Sequence, residues 1–129
     1  MAIAPPTAVD AFVDAIVTRD IAGARGLLGD EIDFRAMTPN RIWEAGGPDD
    51  VEETLRLWFT DPDEEIHAIE PTEPVAIEDT LRVGWRVRGT DEDGPFVFEQ
   101  QAYVRERDGR IAWLRVFCSG YRRPPADRP

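Results

Sequence analysis

Few side chains in this sequence could do chemistry, and their scarcity narrows the field. There is one histidine, His67, and one cysteine, Cys118. A single histidine cannot build a histidine-cluster metal site, and it argues against a Ser-His-Asp arrangement. A lone cysteine forms no internal disulfide, and a thiol without a histidine or cation beside it stays protonated and inert. No metal and no cofactor is expected. Carboxylates and amides remain. Glu70 shares the alternation of Ile66 and Ala68, in a stretch bent by Pro71 and Pro74. That makes it the best-placed carboxylate for a general base; its other reading is a glutamate on a cavity rim. Gln100 falls on the apolar side of an alternating run, between Phe98 and Ala102. A buried amide needs partners, so Gln100 either bonds backbone or orients the carbonyl or hydroxyl of a ligand. Thr38 is a second polar contact or a cap for the turn before Pro39. Glu44, beside Trp43, could cover a cavity mouth, and His67 falls on an outward parity.

These residues need elements to hold them. Residues 94–121 read as two strands joined by Asp108-Gly109, the strongest short-range hairpin signal. Thr7 caps a helix whose stripe is Val9, Phe12, Val13, Ile16 and Val17, with Asp10 as its capping-box partner. Asp20 caps a second helix over residues 21–28, with Gly29 as its stop. Residues 31–38 alternate as a half-buried strand, and 38–47 read as a loop carrying Trp43. Pro48 opens a third helix with acidic Asp49, Asp50, Glu52 and Glu53 near its positive end, and Val51, Leu55, Trp58 and Phe59 as its stripe. Residues 66–77 form a bent or edge strand because of their prolines. Leu81, Val83, Trp85 and Val87 alternate in a further strand, with turns at Glu78-Asp79 and Asp91–Gly94.

The length of 129 residues fits a single domain, with 1–6 and 122–129 as loose ends. A net charge of −11 argues against nucleic acid, which needs a basic footprint. No apolar run reaches membrane-spanning length, and the first ten residues lack a signal-peptide pattern, so a cytoplasmic protein with no membrane partner is expected. The expected fold class is α+β. A four-to-five-stranded antiparallel sheet has only three amphipathic helices to cover one face. If it curves around them, it makes a cone, closed at one end and open at the other, that encloses a pocket.

In this order and spacing the chain resembles the nuclear-transport-factor-like superfamily, and within it the SnoaL-like group. The resemblance is carried by AVDAFVDAIVTRDIAGARGLLGD, by IDFRAMTPNRIWEAGG before DDVEETLRLWF, and by VRERDGRIAWLRVF. It implies a conical α+β barrel of the cystatin-like or SnoaL-like kind and frequently a homodimer through the outer sheet face. The superfamily includes ketosteroid isomerases, polyketide cyclases, epoxide hydrolases and non-catalytic subunits, so fold does not fix function. Steroid-isomerase-like members carry a tyrosine on the first helix, where this chain has Phe12. They carry a base aspartate near the end of the first strand, where it has Ala36 or Thr38, and a hydrogen-bonding acid on a late strand, where it has Gln100 or Gln101. The inward Asp-Arg-Asp of epoxide-hydrolase-like members is replaced by Val83, Trp85, Leu114 and Val116.

The family pattern and the apolar bias place Ala112, Leu114, Val116 and Cys118 inside on the last strand, and alternation places Phe96, Phe98, Gln100, Ala102 and Val104 inside on the one before. Phe12, Ile16, Phe34, Trp43, Trp58, Trp85 and Phe98 then converge on one volume. Ala36, Thr38, Gln100, Val116 and Cys118 complete the expected lining, the last as core filler or wall. Outside, Arg82, Arg86, Arg88, Tyr103, Arg105, Trp113, Arg115 and Phe117 mix arginine with aromatics, as interface cores do. The expected partners are a small apolar molecule and a second copy of the chain, docked through Arg86, Tyr103, Trp113, Arg115 and Phe117. The expected function is small-molecule binding in an apolar pocket. The alternative is an isomerase, cyclase or hydratase acting on an apolar polyketide-, steroid- or terpenoid-like substrate, with Gln100 orienting it and Glu70 or a water moving the proton. A third reading is a structural dimer with a filled core.

Overall fold

A computed structural model of the protein describes residues 7–124. Helix α1 (Ala8–Val17) starts where Thr7 Oγ1 accepts from the Asp10 backbone N–H, and α2 (Ile21–Gly26) starts where Asp20 accepts from Gly23 N–H. Their near-contiguity makes the expected bent pair. The second helix is shorter than its pattern suggested, because Leu28 leaves it to begin β1 (Leu28–Thr38); Gly29 is a strand residue, not a stop. The segment read as a loop is strand β2 (Arg41–Gly46). It folds back on β1 through Pro39 and Asn40, with Asn40 at φ 66°. Gly47, at φ 102°, turns the chain into α3 (Pro48–Phe59).

The remaining strands are β3 (Glu65–Pro71), β4 (Val75–Ile77), β5 (Thr80–Asp91), β6 (Gly94–Arg107) and β7 (Arg110–Cys118). The prolines divide the bent strand into β3 and β4, and both pair with β5. Asp108 and Gly109 turn with φ 54° and 77°, as the Asp-Gly signal required. The sheet runs β2-β1-β7-β6-β5-β3 and does not close. All pairs are antiparallel except β1 with β7, which is parallel and joins the first strand to the last. The sheet is curved around its helices, and register shifts interrupt three of its ladders. Such shifts bend strands locally.

Helix α1 lies across β3, β5, β6 and β7, while α3 covers β1 and β2. Phe12 and Ile16 are fully buried, and the Phe12 ring stands 6.3 Å from Trp85. Glu106 ties the helix start to the β6–β7 corner, accepting from Val9 N–H at 2.8 Å. In β6 the inward set is Phe96, Phe98, Gln100, Ala102 and Val104, as alternation required. In β7 it is Ile111, Leu114 and Val116: a register shift at Arg105–Glu106 brings Ile111 inward in place of Ala112. Among the described residues no helix is long and apolar enough to cross a membrane.

Candidate functional site

The helices seal one end of the cone and leave the other open. At the open end a cavity of about 340 Å³ lies between the β1–β2 turn, the last turn of α3, and the ends of β6 and β7. Its floor is Gln100, only 3% exposed. Trp85 donates its indole N–H to Gln100 Oε1 at 2.9 Å. That bond fixes the amide's orientation and leaves Nε2 without a protein partner among the described residues. That nitrogen is open to the cavity, where a water or a ligand oxygen can accept from it; the buried, unpaired donor among the described residues is the Trp58 indole N–H.

The walls are aromatic. Trp43 comes from β2 and donates to Thr38 Oγ1 at 2.8 Å, so Thr38 acts here as the acceptor that orients Trp43. Arg41 covers one face of the Trp43 ring at 3.4 Å. Trp58 meets Trp43 edge-on at 5.7 Å, and its own indole N–H is buried and unpaired. The fourth ring belongs to the chain beyond β7. Tyr121 stacks nearly parallel on Phe98 at 5.1 Å and on Phe96 at 4.6 Å. Gly120, at φ 78°, makes that approach possible; a Cβ there would come within 2.6 Å of Pro39 Cγ. Arg122 exchanges two backbone hydrogen bonds with Val97, each 2.8 Å, and Arg123 grips Asp91 with both amino groups at 2.9 and 2.8 Å. Residues 119–123 therefore form a strap across the cone, where a frayed end was expected for 122 onward. Residues 1–6 and 125–129 lie outside the described residues.

Two acids reach the cavity wall, Asp61 and Glu64. The Tyr121 hydroxyl donates to Glu64 Oε2. Burial pushes the Glu64 carboxyl above its ordinary range, and the negative charges of Asp61 and Asp91 push the same way; the Tyr121 bond and Arg123 oppose them. Burial and then Glu64 raise the Tyr121 phenol, which stays a neutral donor. The hydrogen bond to Arg123 holds Asp91 low.

Of the residues expected to line a pocket, Thr38, Trp43, Trp58, Phe98, Gln100 and Cys118 do so. Phe12, Ile16, Phe34, Ala36, Trp85 and Val116 are instead packed in the solid core beneath. The reason is geometric: α1 settles directly on the middle of the sheet, and Trp85 fills what would have been the cavity's depth. Cys118 accepts from Gly120 N–H at 3.4 Å. Glu70 is not in the cavity. The register shift between Ile66 and Ala68 turns Ile69 inward, and Glu70 pairs with Arg88 at 3.3 Å on the exposed face. Glu44 stands exposed opposite Arg35 and does not reach the mouth. His67 is outward, 2.6 Å from the Thr90 hydroxyl. Sequence reasoning missed Pro39, Leu57, Asp61, Glu64, Gly120 and Tyr121. The signal present for the last two was Gly followed by an aromatic just beyond a strand.

A larger depression of about 640 Å³ runs along α3, lined by Asp49, Glu52, Glu53 and Arg56 among others. It has no aromatic ring in its wall, lies in the open, and meets the cavity at Leu57 and Asp61. Among the described residues no cluster of His, Cys, Asp or Glu is suited to hold a metal ion. On the outer sheet face Trp113 is clasped by Arg105 at 4.1 Å and Arg115 at 4.4 Å, and Tyr103 meets Phe117 edge-on at 6.0 Å.

No protein family and no curated protein matches the sequence. Solved structures do match the fold. A protein from Catenulispora acidiphila with a ketosteroid-isomerase-like fold, solved in complex with trimethylamine, is 16% identical with a TM-score of 0.67, covering 88% of this chain and 85% of that one. An LEH-like epoxide hydrolase of M. tuberculosis is 18% identical with a TM-score of 0.64, covering 89% and 86%. An NTF2-like protein of unknown function from Cytophaga hutchinsonii is 12% identical with a TM-score of 0.66, covering 86% and 96%. Unclosed curved sheet, three helices and these likenesses agree: the chain has the NTF2-like, ketosteroid-isomerase-like fold of these structures.

Proposed function

We propose that this protein binds a small, largely apolar molecule at the open end of its cone, with Gln100 Nε2 donating to an oxygen of that molecule. The carrying observation is the floor of the cavity. Gln100 is almost wholly buried, its Oε1 is committed to Trp85, and its other end is left to the cavity. The volume of about 340 Å³ falls at the lower end of the usual ligand range. A similar fold in complex with trimethylamine supports small-molecule binding as a use of such a scaffold. The test is a calorimetric titration with 3,3-dimethylbutan-1-ol, an apolar body with one hydroxyl. Gln100→Leu should weaken binding about tenfold, the worth of one buried hydrogen bond. Unchanged affinity would reject Gln100 as the orienting group.

One observation favours a second reading as an enzyme. Glu64 is a half-buried carboxyl in the cavity wall, held above its ordinary range and bonded to a phenol. A carboxyl raised in this way is a better proton acceptor than an ordinary glutamate, and Glu64 takes the place that Glu70 held in the sequence reading.

The clasped Trp113 and the Tyr103–Phe117 pair support a homodimer through the outer sheet face, where Phe117 is 45% exposed. Trp113→Glu should then shift the solution mass toward monomer in sedimentation, with no shift expected from Leu57→Glu on α3, across the sheet from that face.

A further inference from the structure

The open end of the pocket and the approach to it share one sign of charge. Resting on the reading of this cavity as a ligand site, we propose that its ligand is an organic cation, a protonated or quaternary amine. The charged nitrogen sits against the rings beside Asp61 and Glu64, and an oxygen of the same molecule accepts from Gln100.

The lining itself supports this. Trp43, Trp58, Phe98 and Tyr121 stand with two carboxylates; the sequence has no lysine, and no arginine among the described residues lines the cavity. Ring faces attract cations and gain nothing from anions. Arg41 already occupies one face of Trp43 from outside, so Trp58 and Tyr121 are the rings left for a ligand. The groups around Glu64 carry a negative excess. Asp61 and Asp91 both face it, Tyr121 is neutral, and the one nearby cation among the described residues, Arg123, is bound by both its amino groups to Asp91. A cation entering there relieves the repulsion that a neutral molecule would leave in place, and an anion would add to it.

The approach repeats the pattern. The depression along α3 meets the cavity at Leu57 and Asp61 and is lined by Asp49, Glu52, Glu53 and Asp63. Its one lining cation, Arg56, is paired with Glu52 at 2.7 Å, and Arg25 from α2 pairs with Asp49 and with Glu52 at 3.2 Å; Glu53, Asp61 and Asp63 have no ion-pair partner among the described residues. On a chain of net charge −11, a groove of this sign raises the local concentration of cations and repels anions. Acidic residues alone would prove little. The independent signs of a ligand are two donors in the same cavity that an amine alone would not satisfy: the Trp58 indole N–H, buried and unpaired among the described residues, and Nε2 of the 3%-exposed Gln100, open to the cavity. The favoured ligand is therefore an amino alcohol or amino carbonyl compound with an apolar body.

Choline and 3,3-dimethylbutan-1-ol have the same shape and the same hydroxyl, and differ in one charged nitrogen. Calorimetric titration of the wild-type protein at low salt should find choline bound about tenfold more tightly or better. Its affinity should rise with pH as Glu64 ionises, with proton release on binding, while that of the alcohol stays flat. In the double variant Asp61→Asn/Glu64→Gln the ratio of choline to alcohol affinity should fall to about one and the proton release should vanish. Equal or tighter binding of the alcohol would overturn the cation assignment and leave the pocket reading standing. If neither compound binds at about 10 mM, both readings fail. A choline advantage that survives the double variant, or that shows no pH dependence in the wild type, would remove Asp61 and Glu64 from the site.

Discussion

The two ends of the cone are built from similar residues and behave differently. At the closed end, Phe12, Ile16, Trp85 and Val87 pack to full burial under α1. At the open end, Trp43, Trp58 and Phe98 stand around a cavity. The aromatic content does not separate them. What does is the covering element. Helix α1 brings a continuous apolar stripe down onto the sheet, whereas the open end is covered only by a turn, a helix terminus and a five-residue strap. A strap held by three backbone bonds, the Arg123–Asp91 ion pair, the Tyr121–Glu64 hydrogen bond and one stacked ring cannot fill the volume beneath it. An apolar stripe that docks makes core; an irregular cover leaves space, and the polar groups at that space become the site.

The largest way to break this comparison is at the closed end. Phe12→Ala should cost about 3–5 kcal/mol of unfolding free energy in denaturant titration, because a fully buried ring leaves a void that α1 cannot collapse into. The matched truncation at the open end, Trp43→Ala, should cost distinctly less, since that ring already borders empty space. Equal losses would mean that the two ends are packed alike.

A middle-sized effect belongs to the strap. Gly120→Ala forces a side chain into positive φ and against Pro39, at a cost of about 1–3 kcal/mol. Because the strain is local, it should appear first as faster amide exchange at Val97 and Arg122, with the exchange of α1 unchanged. Uniform loosening would show that the strap is integral to the core.

The smallest effect is electrostatic. The folded state raises the Glu64 carboxyl, so between its ordinary range and that raised value the folded protein binds more protons than the unfolded one. Stability is therefore fully present below the ordinary glutamate range and declines as pH rises through the folded value. In Glu64→Gln that part of the decline should be missing from a series of thermal melts. An unchanged pH profile would show that Glu64 is as well solvated folded as unfolded.

Much of the fold was legible because it rests on periodicity. The α1 stripe, the β6 alternation around Gln100 and the Asp108-Gly109 turn each state their structure locally. The failures were all long-range. Strand β2 has Ile42 pointing to solvent at 68% exposure, so its short run shows no apolar face without β1 beside it. The register shift that turns Glu70 outward is decided by pairing with β5 and leaves no trace in the order of residues. Half of the site was missed for the same reason. Glu64 and Tyr121 lie 57 positions apart and meet only because Arg122 pairs with Val97 and Gly120 passes Pro39. The sequence showed the rings, and the depth to which α1 sinks decided which of them line the cavity and which are core.

The central claim is that the open end, and not the centre, receives a ligand oriented by Gln100. Its most direct test follows nitrogen–proton resonances while 3,3-dimethylbutan-1-ol is added. The Gln100 side-chain amide and the indole of Trp58 are predicted to shift in a saturable way, with the backbone amides of Phe12 and Ile16 unmoved. Shifts spread along α1, or none at Gln100, would contradict it.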